Sequence, residues 1–300
     1  MPSLIDFRRR IRSVKNTQQI TKAMKMVSAA KLRRAQERVI AARPYAQMMR
    51  EMLENLAAAA ASDDQAADSA WLGRREPKRI DLLFFSSDTG LAGAFNSNLL
   101  KGSQKFFADN SSAEITLTLV GRKGRDFYRR RNAKILSEHI NILNRPTYQD
   151  AVEIAREVIR RYRDGETDAV YVLNNDFKSV MTQKVSLMKL LPVEAEAGGV
   201  NNDKNDKNDK KDEAKTDYIY EQSPLDMLER LMPRYVEVAV FRAMLETVAA
   251  YQAARMTAMD TASTNAKDVI DALTLHMNRV RQAAITKEII EVVSGAAAAE

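Results

Sequence analysis

The turn Gly90-Leu91-Ala92-Gly93-Ala94-Phe95 follows a short apolar run, Ile80 to Phe85, at the point where a nucleotide-binding fold places its phosphate loop. Phosphate chemistry there needs the spacing G-x-G-x-x-G, so that backbone N–H groups can approach a pyrophosphate. The paired early glycines are missing. After the next apolar run stands Gly121-Arg122-Lys123, where an acid would hold a ribose. A basic pair suits a 2′-phosphate, so the dinucleotide reading is weakened and stays open. No G-x-x-x-x-G-K-[ST] occurs, and no serine, histidine and acid fall into a nucleophile motif. The two histidines, His139 and His276, lie far apart, and there is no cysteine, so metal-ligand spacing is lacking and thiol chemistry is excluded. The plainer reading is that Gly90 and Gly93 shape a strand-to-helix turn. No catalytic residue, cofactor or metal site is expected on this chain.

Charge is the other chemical signal. Residues 1–50 hold thirteen basic side chains, from Arg8, Arg9 and Arg10 to Arg43 and Arg50, against Asp6 and Glu37 alone. The whole chain is only +7, so the excess is concentrated at one end. Such a stripe fits an acidic partner: nucleic acid, anionic lipid or acidic protein. For any single residue a solvated helix face explains the charge equally well.

The elements that carry these residues are legible from their periods. Leu4 to about Leu56 reads as one helix, with apolar points at Ile11, Val14, Ile20, Met24, Val27, Ala30, Val39, Met48, Met52 and Leu53 and a bend at Pro44. Its seam is poor: Gln18, Thr21, Lys25, Ser28 and Lys31 stand where a strong zipper would place leucine. Residues 58–77 read as a linker, with Trp71 packing onto the domain that follows. Strands are expected at Ile80–Phe85, Glu114–Val120, Ile135–Ile140, Ala169–Leu173 and Gln183–Leu190. Helices at Asn96–Asp109, Lys123–Arg131 and Thr147–Arg163 alternate with them, which predicts a mostly parallel sheet with helices on its faces, over 78–222. Within it, 196–216 repeats a polar Asn-Asp-Lys unit and is expected to be a disordered surface loop. Tyr218-Ile219-Tyr220 is expected as a short strand.

The last helix spans Ser223 to about Ser294. Ser223, Pro224 and Asp226 form its start, and apolar residues from Leu228 through Met244, Met259 and Ala266 to Ile289 follow at steps of three and four. Pro233 marks a kink or the true start. A rod of roughly 90–105 Å cannot be enclosed by a domain of this size. The economical arrangement pairs it antiparallel with the first helix, giving an α/β fold class: a long antiparallel coiled coil of the terminal helices plus a Rossmann-like domain. The 45% apolar content is that of a soluble chain, and no run is long enough to span a bilayer. The arginine-rich start has no apolar core after it, so a secretory signal is not expected, and the lack of cysteine fits a cytoplasmic setting.

Three stretches resemble the gamma subunit of bacterial-type F1 ATP synthase. They are Ile11-Arg12-Ser13-Val14-Lys15-Asn16-Thr17-Gln18-Gln19-Ile20-Thr21-Lys22-Ala23-Met24-Lys25-Met26-Val27-Ser28-Ala29, then Gly90-Leu91-Ala92-Gly93-Ala94-Phe95-Asn96-Ser97-Asn98-Leu99, then Gln252-Ala253-Ala254-Arg255-Met256 through Asn265-Ala266 to Arg281-Gln282-Ala283-Ala284-Ile285-Thr286-Lys287-Glu288-Ile289. The resemblance implies a non-catalytic rotor. Its helix pair would fill the axis of the alpha and beta hexamer. Its α/β domain would sit with the epsilon subunit on the c-ring of Fo, peripheral, on the cytoplasmic face of the bacterial inner membrane. Proton flow would turn it, and ATP would be made on the beta subunits. No nucleic acid and no small-molecule substrate are implied. The family's coupling positions fall on Met24, Lys25, Arg255, Gln282, Thr286 and Glu288. The resemblance departs at Thr89 and Ala92, where the family often has Arg and Cys. Two rivals stand beside it: a basic coiled-coil protein that binds nucleic acid, which has few aromatics to stack (Phe7 and Tyr45), and a small nucleotide-dependent enzyme built on 78–220.

Overall fold

The structure, a computed structural model, describes residues 4–60, 71, 76–193 and 222–297. The segment 196–216, the strand at Tyr218–Tyr220 and most of the 58–77 linker lie outside the described residues. In chain order the elements are α1 (Leu4–Ala60), β1 (Arg79–Phe85), α2 (Phe95–Asp109), β2 (Glu114–Val120), α3 (Arg122–Arg129), β3 (Ile135–His139), a 3-10 turn (Ile142–Asn144), α4 (Tyr148–Arg163), β4 (Ala169–Phe177), β5 (Gln183–Leu191) and α5 (Pro224–Ala297). The chain divides into two compact units. One comprises residues 1–32, 91–93 and 252–300, the other residues 33–90 and 94–251.

The larger unit is built on a five-stranded sheet in the order β3-β2-β1-β4-β5. β3, β2, β1 and β4 run parallel, and β5 returns antiparallel to β4. Residues alternate across β1, as strand geometry requires. Asp81, Leu83 and Phe85 face α4 and the segments of α1 and α5 that belong to this unit; Leu83 and Phe85 join one core with Leu53, Leu56, Ile154, Tyr162, Met232, Val236 and Val240. Phe84 faces the other way, with its ring 5.6 Å edge-on to Tyr128 of α3. Trp71 is buried and stacks on Tyr162. The buried points of α5, Leu228, Met232, Val236, Val240 and Met244, follow the apolar period of the sequence. Each such side chain contributes about 1.5–3 kcal/mol by leaving water.

Two polar devices fix local geometry. Thr147 and Asp150 form a reciprocal capping box at the start of α4. Asp81, almost fully buried, accepts from Arg161 Nε at 2.9 Å and from Thr167 Oγ1 at 2.8 Å, tying β1 to α4. β4 runs on to Phe177 rather than ending at Leu173. Asn174, Asn175 and Asp176 are polar, yet pairing with Ser186, Val185 and Lys184 of β5 keeps them extended. α5 begins at Pro224, with Ser223 C=O accepting from Met227 N–H, so Pro233 is not the start. α1 continues through Pro44.

The smaller unit is an antiparallel helix pair. Phe7 of α1 meets His276 of α5, Gln18 and Thr21 meet Ser263, and Lys25 meets Asp260, so one sequence rises as the other falls. Apolar Ile20, Val27, Val269 and Ile289 are exposed, as is Met48 of α1 in the larger unit. They do not line the seam that the apolar count assigns them. A two-helix contact admits one narrow stripe, and in α1 that stripe runs through Phe7, Ile11, Val14, Gln18, Thr21, Lys25, Ser28 and Leu32, three and four apart and polar in its middle; Lys31, expected in the seam, is exposed.

Candidate functional site

At the carboxyl ends of β1 and β2, where an open α/β sheet binds ligands, the slot is occupied by the chain's own groups. Asp88 follows β1. Its Oδ1 accepts from the N–H of Arg122 at 3.1 Å, in the first turn of α3, and from the N–H of Asn141 at 2.9 Å. A carboxylate therefore sits where helix N–H groups would otherwise attract a phosphate. Ser86 Oγ accepts from Gly124 N–H, and Asn96 Oδ1 accepts from Ser87 N–H. Gly121 has φ +98°, and a Cβ there would lie 2.4 Å from the carbonyl oxygen of Ser86. That glycine serves the close approach of two loops to each other. Arg122, a candidate 2′-phosphate ligand in the sequence, donates to Asn141 Oδ1 at 3.1 Å. The turn itself is anchored by Tyr251 of α5, which hydrogen-bonds to Thr89 Oγ1 and donates to Gly90 C=O at 3.3 Å. Gly93 takes φ +55°.

The functional surface is therefore sought on the helix pair. Gln18 Nε2 donates to Ser263 C=O at 3.4 Å, Thr21 Oγ1 and Ser263 Oγ lie 2.7 Å apart, and Lys25 Nζ reaches Asp260 Oδ1 at 2.6 Å. The hydroxyls also bond within their own helices, Thr21 to Gln18 C=O and Ser263 to Met259 C=O. A seam of this kind satisfies its polar groups locally and grips weakly across. Each neutral hydrogen bond nets about 0.5–1.5 kcal/mol. Arg8, Arg9, Arg10, Arg12, Lys15 and Lys22 lie on exposed faces of α1.

Of the residues singled out in the sequence, Met24 and Lys25 are half-buried neighbours, and Lys25 carries the ion pair to Asp260. Arg255 is half-buried, five residues before Asp260 on α5. Gln282, Thr286 and Glu288 are exposed; Thr286 Oγ1 donates to Gln282 C=O at 2.9 Å, one turn away. Gln282 lies about 33 Å along α5 from Asp260 at 1.5 Å per residue. These six residues form a series of points along the pair, with no single constellation. Beyond them, Ile285, Ile289, Ile290, Val292 and Val293 are exposed apolar residues near the end of α5. Sequence reading missed Asp260 and Ser263 as the partners of Lys25 and Thr21. The signal was the cluster of Thr257, Asp260, Thr261, Ser263 and Thr264, polar residues set around the apolar points Met259 and Ala262. It also missed Glu246, a lone acid inside the apolar stretch Ala243 to Ala250.

Among the described residues no helix is long and apolar enough to cross a membrane, and no group of three or more His, Asp or Glu gathers to hold a metal ion. A family model described as ATP synthase matches residues 3–299. The chain is 55% identical to the ATP synthase gamma chain of Solibacter usitatus over 100% of both chains. It is 48% identical to that of a Geobacter species, over 98% of each. Among solved structures it is similar to a chain in the central stalk and c-ring of the Tetrahymena thermophila mitochondrial ATP synthase, with TM-score 0.62 and 26% identity, covering 81% of this chain and 99% of that one. A chain of the Euglena gracilis mitochondrial ATP synthase shares the fold, with TM-score 0.66 at 17% identity over 98% of this chain and 94% of that one.

Proposed function

The chain belongs to the ATP synthase gamma chain family, and from that premise we propose how it works as the central-stalk rotor, a non-catalytic part of a rotary enzyme. The observation that carries the reading is the antiparallel pairing of the two ends of the chain across a polar seam. A shaft must pass torque and still move past successive partners. Each further 1.4 kcal/mol of grip slows its escape about tenfold. Exposed basic side chains and short polar ones give attractions of only about 0–1 kcal/mol each in water. The helix pair turns inside the hexamer of alpha and beta subunits, with Arg8 to Lys22 facing acidic loops. Met24, Lys25, Arg255, Gln282, Thr286 and Glu288 are the positions where turning is coupled to catalysis, and the exposed Ile285 to Val293 end runs in an apolar bearing. The sheet-bearing unit rests with epsilon on the c-ring, peripheral, at the cytoplasmic face of the bacterial inner membrane. Ion flow turns the ring, and the shaft drives the beta subunits through their states in turn. Residues 58–77 link the α/β domain, 78–222, to the first shaft helix, 1–57; the second shaft helix is 223–300.

The deciding experiment is a purification. A tagged chain expressed in its host is expected to carry the larger ATPase subunits with it, and ATP is expected to turn a label fixed to it. A chain that purifies alone and binds DNA with steep salt dependence overturns the reading. Met24→Arg sets a second cation beside Lys25 and strengthens the hold on an acidic loop. Fewer protons are then pumped per ATP hydrolysed; an unchanged ratio removes Met24 from the coupling positions.

A further inference from the structure

Glu246 of α5 is 2% exposed, yet it is an acid. Its carboxylate accepts from Arg43 of α1, from Nη2 at 3.1 Å and Nε at 3.2 Å, and from the N–H of Phe177 at 3.0 Å. Arg43 Nη2 also donates to the C=O of Phe177 at 2.9 Å. Both backbone polar groups of one residue at the end of β4 are thus held, the N–H by an acid from α5 and the C=O by a base from α1. Acid and base hold each other, which closes a triangle over three elements of the larger unit.

The surroundings give this triangle a mechanical meaning. In that unit, Leu53, Leu56, Met232, Val236 and Val240 pack α1 and α5 into the sheet's core by apolar contact. Apolar burial is non-directional and resists separation more than rotation. Hydrogen bonds weaken steeply when bent, and those between charged groups are roughly twice as strong as neutral ones. The bond from Phe177 N–H to Glu246 is buried, where a low local dielectric strengthens it further, while the Arg43 side chain remains 44% exposed. The Tyr148–Glu237 bond between α4 and α5 is exposed by comparison.

We propose that Arg43 and Glu246 are positioning residues for torque transmission, locking the twist of α1 and α5 to the sheet through Phe177. The proposal rests on the rotor reading above. Both helices continue without interruption from this triangle into the shaft. A rotation imposed on the sheet therefore enters both helices together at this level, instead of being absorbed by slip of an oily core.

The test uses the assembled complex. The chain has no cysteine, and Met181, in the turn between β4 and β5, is 80% exposed. Met181→Cys therefore gives one attachment point on this chain for a gold rod, with the catalytic head fixed to glass. The readout is the angular variance of the rod during pauses at low ATP, measured beside thermal melting of the same samples. Glu246→Gln removes charge assistance and Arg43→Lys removes the planar fork, so each is expected to raise the variance about twofold. Glu246→Ala is expected to raise it further and to lower ATP synthesised per proton while leaving uncoupled hydrolysis unchanged. A purely structural role would lower the melting temperature and leave the variance of assembled complexes as it was. Unchanged variance in assembled Glu246→Gln and Arg43→Lys overturns the proposal, and these two decide it if Glu246→Ala does not assemble. A wild-type rod that never turns with ATP overturns the rotor reading and this proposal with it. A turning wild type with unaltered variants overturns this proposal alone.

Discussion

Replacing Asp88 by alanine removes the carboxylate that fills the slot between β1 and α3. Two backbone N–H groups, those of Arg122 and Asn141, lose their acceptor at 3.1 and 2.9 Å. Hydrogen bonds to a charged group are worth about 1.5–3 kcal/mol each. The other oxygen, Oδ2, is buried without a hydrogen-bond partner, and its release offsets part of that sum. The expected net loss is about 2–4 kcal/mol, because unmet desolvation of a polar atom is worth about 1–3 kcal/mol. Asp88→Asn keeps an acceptor in place and is expected to lose about 1 kcal/mol, the value of a neutral bond against a charged one. The vacated helix start, beside Arg122 and Lys123, then attracts an anion. Urea unfolding followed by circular dichroism, in phosphate and in chloride of equal ionic strength, measures both effects. Phosphate at ten times its dissociation constant returns about 1.4 kcal/mol to Asp88→Ala and nothing to the wild type. The reasoning is refuted if Asp88→Ala loses less than about 1 kcal/mol, or if phosphate stabilises the wild type equally.

Arg161→Met strands the buried Asp81 carboxylate and is expected to cost about 3–5 kcal/mol. Adding Asp81→Leu and Thr167→Val is expected to recover most of this in the same urea assay, and no recovery counts against the pairing. Burial holds the imidazole of His139 below its ordinary pKa, although Glu157, Glu153 and Asp150 pull it upward. The unfolded chain then binds the proton more readily, so stability is full above the unfolded value of about 6.5 and falls as pH drops through that value toward the folded one. His139→Gln is expected to remove this fall of the urea midpoint as pH drops below about 6.5. In the seam, Thr21→Val and Ser263→Ala are each expected to cost about 0.5–1 kcal/mol, and the double variant no more than either, since two partners replaced together leave nothing unsatisfied. A coupling energy above about 2 kcal/mol in that cycle contradicts a weak seam.

The periods of the sequence found every strand and α-helix of the described fold, because burial imposes its spacing on any chain; the three-residue 3-10 turn Ile142–Asn144 is too short to show a period. Ile80 to Phe85 reads as a buried strand and is one. The seam was legible partly from its apolar points, Ile11 and Val14, and partly from its flaws. Gln18, Thr21, Lys25, Ser28 and Lys31 stand out as wrong residues for a zipper; the first three meet α5 and Ser28 is buried, whereas Lys31 points to solvent. Counting apolar residues instead placed Ile20 and Val27 inward, because spacing alone cannot say which of two adjacent faces meets a partner. The Asp88 plug was not legible. It depends on Asn141, 53 residues away, and sequence carries no direct trace of which backbone N–H a carboxylate will meet. Arg43 and Glu246, 203 residues apart, were hidden for the same reason, although an acid amid Ala243, Met244, Ala249 and Ala250 is a flag that burial alone would explain.

Gln18 and Ser263 touch across 245 residues of chain, which sets an order of events on the ribosome. At about 5–20 residues per second, α1 leaves the exit tunnel some 10–50 s before its partner exists. Through that wait Leu53 and Leu56 have no cover from α5. The thirteen cations of the first fifty residues then act as a solubility device, because like charges keep nascent helices from associating. Closing so long a loop costs entropy that grows with the logarithm of its length. Any part of β1 to β5 that folds in the interval shortens that loop before the last helix is made, although the sheet face holding Leu83 and Phe85 gains its cover from Met232, Val236 and Val240 only afterwards.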